Sequence, residues 1–443
     1  MTHSPTIHGH CDPRFEPVKA AFTGLMQSPF ERGAALCVQV DGETVIDLWA
    51  GIAGPEPDSH WQRDTLLNLF SCTKPFTAVA IMQLVGEGRL DLDAPVCRYW
   101  PEFAKAGKAT TTVRQVLCHR AGLPALRTPL APETLYDWDT MIALIAEEQP
   151  WADAGQQQTY SPLLFGWILG ELLRRVDGVS PAQSIHQRVA VPLGLDFHIG
   201  LDDATIARCA YMARTKDEVD DEAFGRVLQY VLTEPTAMSS LAFANPPMVL
   251  GRSNEPGWKR MTQPAANGHG NARSLAEFYA GLLDGRLLES PLLNEMLREH
   301  SAEYDPTIQT PTRFGLGIML NQSDVANGSY GMGPDAFGHM GAGGTIGFAD
   351  PERGVAFGFA CNTIGSYVLM DPRHRLNIGN SLHSPLKPPA AAPPPRPAAR
   401  PRRPPEKQRL ARHHSPEAAP PWRSCPVVPA TCVTLPPASA DAP

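Results

Sequence analysis

The chain has no run of about 18 apolar residues, the length a membrane-crossing helix needs, and its first thirty residues lack the apolar core of an export signal. Both absences lead us to expect a cytoplasmic protein with no membrane partner. Excess positive charge is missing too. The 38 Lys and Arg face 46 Asp and Glu, a formal net charge of -8, so nothing points to a nucleic-acid partner. Nine cysteines without paired spacings argue for reduced thiols rather than a disulfide framework. No Gly-x-Ser-x-Gly elbow occurs, which leaves α/β-hydrolase chemistry without a nucleophile position. His8, His10 and Cys11 cluster near the start, but no fourth ligand stands at a familiar zinc spacing, and they read as a frayed polar terminus. We expect no metal and no cofactor.

What the chain does have is a globular composition, 43% hydrophobic and 19% charged, over 443 residues, enough for a substantial core. Its end differs. Residues 384–443 hold 18 of the 45 prolines and nine Lys or Arg against three Asp or Glu. That segment is therefore +6 and leaves -14 for residues 1–383. Such a composition does not form a packed core, so we expect a disordered tail without a catalytic role.

The stretch over residues 66–88 places Ser71 and Lys74 three residues apart, at the start of an apolar helix running through Val85 to a stop at Gly88. Pro75 falls in the first turn, where a missing amide donor costs little. A serine hydroxyl beside a lysine suits acyl transfer, provided burial lowers the lysine pKa enough for it to act as a base. The helix amino terminus favours negative charge developing at Ser71. The bare Ser-x-x-Lys pattern is weak, since Ser384-Pro-Leu-Lys387 repeats it in the proline-rich tail. Cys72 points to another helix face and reads as a small packing residue.

Around this helix the periodicity changes twice. Asp12-Pro13 opens an amphipathic helix through Met26. Ala34–Val40 and Glu43–Trp49 form strand-like runs about Asp41-Gly42, a strong hairpin signal. Helical spacing follows at Val113–Arg120, Asp139–Glu148, Leu163–Val176 and Pro181–Val189, and Ser274-Leu-Ala-Glu277 reads as a capping box opening another helix. His119 ends one of these segments and reads as a cap at a helix carboxyl end sooner than as a base. From Phe314 the period returns to two, at Phe314–Asn321, Ala336–Gly341, Thr345–Ala349 and Val355–Asn362, before Asp371-Pro372 opens a last helix to about His383. The fold expected is α+β: one antiparallel sheet built from both chain ends and flanked by the terminal helices, with an all-α domain inserted. In residue terms, 1–65 and 310–383 form the sheet domain, 66–309 the mainly helical domain, and 384–443 the tail.

Three motifs in this order resemble the serine β-lactamase and penicillin-binding-protein superfamily, closest to the class C β-lactamase-like esterases called family VIII, over roughly residues 12–383. They are Ser71-Cys-Thr-Lys74, Tyr160-Ser-Pro162 at 89 residues beyond Ser71, and the glycine-rich segment Phe337–Pro351 containing His339-Met-Gly341. Leu117–Pro124, Pro192–Gly200 and the Asn267 loop add secondary likeness.

The resemblance implies that Ser71 attacks an ester or lactam carbonyl, that Lys74 and Tyr160 share the general-base work, and that Tyr160 passes the proton to the leaving group. Tyr160 would need a phenol pKa well below its usual value near 10. The amides of Ser71 and Ala342 would hold the oxyanion; Gly341 would let the substrate approach, and His339 would line the site. Pro162 stands where lactamases usually carry an asparagine, and His339 where they carry a lysine. Both departures shift weight toward a serine carboxylesterase acting on small acyl esters. β-Lactamase or D-amino peptidase activity, acyl transfer, and a catalytically silent binding relative are the alternatives. Nothing in the sequence indicates an oligomeric state.

Overall fold

A computed structural model describes residues 5–214, 221–247 and 249–371, with side chains at 249 and 250 left aside. The expected last helix, past Asp371, and the tail 384–443 lie outside the described residues. Nine strands form one antiparallel sheet: β1 (His8–Cys11), β2 (Gly33–Val40), β3 (Glu43–Gly51), β4 (Ser301–Asp305), β5 (Thr310–Phe314), β6 (Met319–Leu320), β7 (Phe337–Met340), β8 (Ile346–Asp350) and β9 (Val355–Cys361). Their spatial order is β1-β3-β2-β9-β8-β7-β6-β5-β4. The two chain ends meet where β2 pairs with β9, Cys37 opposite Gly358.

The hairpin expected at Asp41-Gly42 joins β2 to β3, and both turn residues have positive φ, 50° and 81°, as a type I′ turn requires. β1 corrects an expectation. Residues 8–11 are not a frayed end but an edge strand on β3, His8 opposite Trp49. Three of its four residues are exposed, so it shows no apolar alternation, and only its backbone pairing makes it a strand.

The sheet's two faces carry residues of different size. Leu36 and Val38 of β2 and Phe357 and Phe359 of β9 pack toward Val18, Phe22 and Leu25 of the helix Glu16–Met26, which Asp12 and Pro13 start as expected. Fully burying each large side chain is worth roughly 2–3 kcal/mol. The opposite face carries Cys37, Ala349, Ala356 and Ala360, against Ala272, Leu275, Ala276 and Tyr279 of the helix Ala272–Leu283. Small residues let that helix come close: a Cβ at Gly358 would overlap the Ala272 carbonyl. The cap of this helix is Asn271, which accepts from the Ser274 amide at 2.9 Å, not Ser274 as the capping-box pattern suggested.

Between the sheet halves the chain is mostly helical. Lys74–Gly86, Val113–Leu117, Trp138–Glu147 and Leu164–Asp177 match expected segments within one to three residues. The segment from Pro181 is α-helical only to Ile185 and continues as a π-turn over His186–Ala190. Helices Glu222–Thr233 and Met238–Ala244 were not anticipated. Among the described residues no helix is long and apolar enough to cross a membrane.

Candidate active site

Ser71 does not sit on the α-helix itself. It lies in a tight 3₁₀ turn, Phe70–Thr73, that feeds the helix at Lys74. Phe70 has φ +46°, an unusual value for a bulky residue, and it turns the chain so that Ser71 meets the cavity. The helix behind is buried on nearly every side from Lys74 to Met82.

Two groups converge on the Ser71 hydroxyl. Lys74 Nζ is 3.1 Å from Ser71 Oγ, and the Tyr160 hydroxyl donates to the same oxygen at 2.8 Å. Lys74 is fully buried and donates to the carbonyls of Pro162 (2.9 Å) and Ala265 (3.3 Å). Burial pushes its pKa well below the ordinary lysine value. With two N–H bonds directed at carbonyls, the neutral form of this amine would turn its lone pair toward Ser71 Oγ. The phenol runs against expectation: burial pushes Tyr160 up, only partly opposed by its bond to Ser71. Burial disfavours the phenolate and keeps the phenol protonated.

β7 and the residues after it form the facing wall. The Gly341 amide bonds Thr345 O at 2.7 Å, and the next amide, Ala342, has no acceptor among the described residues. Ser71 N likewise stands outside its turn's ladder, which begins with Cys72 N on Leu69 O at 3.2 Å. A Cβ at Gly341 would overlap the Leu69 carbonyl, so only glycine lets this strand end press against the Phe70–Thr73 turn. Cys72 is more than a packing residue: its thiol, pushed up to about 12 by burial, donates to His339 O at 3.2 Å and ties the turn to the strand. His339 borders the cavity with Nδ1 on Met340 O at 2.8 Å, which assigns the proton to Nδ1 and leaves Nε2 as an acceptor with no partner among the described residues. Burial lowers its pKa to about 3, so it is neutral near pH 7.

The Asn267 loop braces the turn from behind. Asn267 donates to Trp258 O (2.9 Å) and Met261 O (2.6 Å) and accepts from Gln263 N (3.0 Å). Gly268 N bonds Thr73 Oγ1 at 3.0 Å, and Leu69 N bonds Gly268 O at 2.8 Å. His119 is no helix cap. Its ring packs 4.7 Å from those of Tyr160 and Phe314, and Nδ1 accepts from Ser161 N at 3.2 Å.

Ser71, Tyr160, His339 and Ala342 line a cavity of about 320 Å³. Its outer wall is apolar: Phe224, Val227, Leu228 and Val231 of one unanticipated helix, Phe243 of the other, and Leu369. The i, i+3, i+4, i+7 spacing of the first four is a readable helix signal, and Asp221 caps that helix through the Phe224 amide at 2.7 Å. Arg214 is the one charged lining side chain among the described residues. Asp305, which bonds Tyr160 N at 2.7 Å, carries no sequence signal at all.

Known proteins share this arrangement's scaffold. Residues 18–379 match the Beta-lactamase family model. The chain is 33% identical over 376 residues to Esterase/beta-lactamase LipL of Mycobacterium tuberculosis, covering 82% of this chain and 85% of the relative. Among solved structures it is similar to a family VIII carboxylesterase, with TM-score 0.77, 34% identity and coverage of 86% of this chain and 100% of that one. A penicillin-binding protein homologue from Caulobacter crescentus gives TM-score 0.75 and 32% identity over 86% of this chain and 100% of that one. With a family match across most of its length, joined to a Ser71–Lys74 pair at a helix start and a β7 edge beside it, this chain belongs to the Beta-lactamase family.

Proposed function

We propose that the protein is a serine carboxylesterase that hydrolyses small carboxylic esters through an acyl-serine intermediate. The observation carrying this reading is Ser71 Oγ, held at 3.1 Å from a buried lysine and 2.8 Å from a tyrosine hydroxyl at the edge of an apolar cavity. Neutral Lys74 takes the Ser71 proton as Oγ attacks the ester carbonyl. The oxyanion sits on the amides of Ser71 and Ala342, each donor worth about 3 kcal/mol in such sites. Tyr160 gives its proton to the departing alkoxide, and the proton on Lys74 restores the phenol. Water then adds to the acyl-enzyme by the same relay in reverse, releasing the acid and regenerating Ser71. His339 lines the site, and Gly341 keeps the strand edge open to the substrate.

The apolar outer wall and the neutral His339 support esters of uncharged acyl groups over lactams bearing a carboxylate. One relative's name, Esterase/beta-lactamase, keeps lactam cleavage as the second reading. The helices between the two sheet-forming ends support reading 66–309 as an inserted, mainly helical domain that supplies Tyr160 and the outer wall and brings strand β4 with it. Turnover of short p-nitrophenyl esters and of a chromogenic cephalosporin, compared for the natural protein and Ser71→Ala, tests the proposal. Ester turnover lost in the variant, with little cephalosporin cleavage, is the expected result. Faster cephalosporin turnover would select the lactamase reading, and ester turnover persisting in Ser71→Ala would remove Ser71 as nucleophile.

A further inference from the structure

Tyr160 lies in a stretch, residues 156–163, that is neither helix nor strand, so other segments must satisfy and hold its backbone. His119 holds both neighbours, accepting Thr159 N at its carbonyl (2.8 Å) and Ser161 N at Nδ1 (3.2 Å). The Tyr160 backbone amide is held by one side chain, donating to Asp305 Oδ2 at 2.7 Å. The other oxygen of that carboxylate, Oδ1, accepts from Thr307 N at 2.9 Å, while Gln158 Nε2, anchored on the Thr312 carbonyl at 3.3 Å, approaches Oδ2 at 3.5 Å. The turn shaped by Asp305 also carries Ile308 into the cavity wall.

Asp305 has no solvent exposure and no cationic partner among the described residues. A bare buried carboxylate is costly, and what it gains here is two charge-assisted bonds from converging N–H donors. The charged and titratable groups around it are few. Glu303, two residues earlier, pairs with Arg120 and accepts Gln158 N at 3.4 Å. Arg226 donates to Gln309 O at 2.7 Å. Across from Asp305 stand Tyr160, the His119 ring packed on it, and Lys74, whose Nζ is 4.8 Å from the Tyr160 ring centre. None of these neutralises the carboxylate, and burial pushes its pKa up to about 6.

We propose that Asp305 is a positioning residue for the esterase reaction: ionised, it pins the Tyr160 backbone so that the phenol rests on Ser71, and protonated, it loosens that hold and turnover falls. The proposal rests on the esterase reading above. A neutral acid accepts more weakly and sets an O–H against one of the two amide donors. Displacing a catalytic group by about 1 Å can cost on the order of 100-fold in rate.

The test measures kcat and KM on p-nitrophenyl butyrate from about pH 5 to about pH 8 for the full-length wild type and Asp305→Asn. Asparagine stands in for the protonated acid at every pH. We expect Asp305→Asn to lower kcat near pH 7 by at least about tenfold while KM moves less than about twofold. Wild-type kcat should fall as pH drops through about 6, and the variant should be flat over that window. Asp305→Asn with wild-type kcat near pH 7, or with the same acid fall, overturns the proposal, since the titration would then belong to Lys74. Should the variant not fold, infrared spectra of ¹³C-aspartate-labelled wild type give the second reading, because Asp305 is the one aspartate among the described residues held above its usual range. Its carboxyl signal should rise at the pH where kcat falls; a carboxylate still ionised there overturns the idea. Ser71-dependent turnover by the wild type in the same assay separates the questions: with it present and Asp305→Asn unchanged, only the Asp305 role falls.

Discussion

On the Ser71 side of the cavity, hydrogen bonds cross between segments far apart in sequence: Leu69 to Gly268, Thr73 to Gly268, Cys72 to His339, and Lys74 to both Pro162 and Ala265. On the opposite side, the helices Glu222–Thr233 and Met238–Ala244 meet the cavity through Phe224, Val227, Leu228, Val231 and Phe243. Directional bonds fix positions to tenths of an ångström, whereas apolar contacts reward area and tolerate exchange of shape. One wall therefore fixes Ser71, Lys74 and Tyr160 in position, and the other presents an apolar surface, which in the proposed reaction would keep a proton path in register and accept acyl groups. Leu232, one residue beyond the lining, is 73% exposed, so the apolar wall continues to the surface.

If that division is right, substitutions on the bonded wall change kcat and those on the apolar wall change KM. Lys74→Ala should have the largest effect, a loss of about 10³-fold or more in kcat with little change in KM, since it removes the proposed base. Steady-state kinetics on a short ester would show it; a variant within tenfold of wild type would transfer the base role to another group. Next comes Asn267→Ala, which removes three buried bonds and should cost about 3 kcal/mol of stability. Thermal unfolding should register this as a melting temperature lower by roughly 3–4 °C for a protein of this size, with kcat falling because the loop carries Ala265 O against Lys74. An unchanged melting point would mean that the brace is dispensable. Smaller still, Val231→Phe should raise KM for octanoate esters about fivefold or more through overpacking and leave acetate esters within twofold. Equal effects on both chain lengths would erase the distinction between the walls.

A drift of stability with pH is expected alongside these effects. His269 and His339 are buried and neutral, each lowered to about 3. Their folded pKa values lie below the unfolded value of about 6.5, so the unfolded chain binds more protons between those limits, and stability falls as pH drops through that range. The loss is on the order of 1 kcal/mol per pH unit for each histidine. Asp305 acts with the opposite sign: its folded pKa, about 6, is raised above the unfolded value, so its protonation favours the folded state from about pH 6 down to about pH 4. Urea unfolding at successive pH values should give a net decline below about pH 6; a rise would mean that Asp305 outweighs the histidines.

Local chemistry was legible in the order of residues. The Ser71–Lys74 spacing, the Asp41-Gly42 turn, the Asp12-Pro13 helix start and the period of two after Phe314 each depend on neighbours within a few positions, and each appears in the structure at or near its expected place. The wall helix at Glu222 was legible as well, since the spacing of Phe224, Val227, Leu228 and Val231 is plain once the segment is counted. Other features required the folded chain. β1 became a strand only because β3 offers it partners, and its exposed side chains give no pattern to read. Asn271 displaced Ser274 as a helix cap because the loop entering from His269 and Gly270 sets where the first turn begins. The direction of the Tyr160 shift reversed because a titration depends on the dielectric and charges around a group, and no spacing rule reports that Lys74 is fully buried. Asp305 and Tyr160 are 145 residues apart, joined by one bond that closes only after the sheet edge and the loop are packed together. Sequence alone determined which reactive groups the protein carries; tertiary structure decided their protonation and which carboxylate holds them in place, because burial and long-range contact exist only in three dimensions.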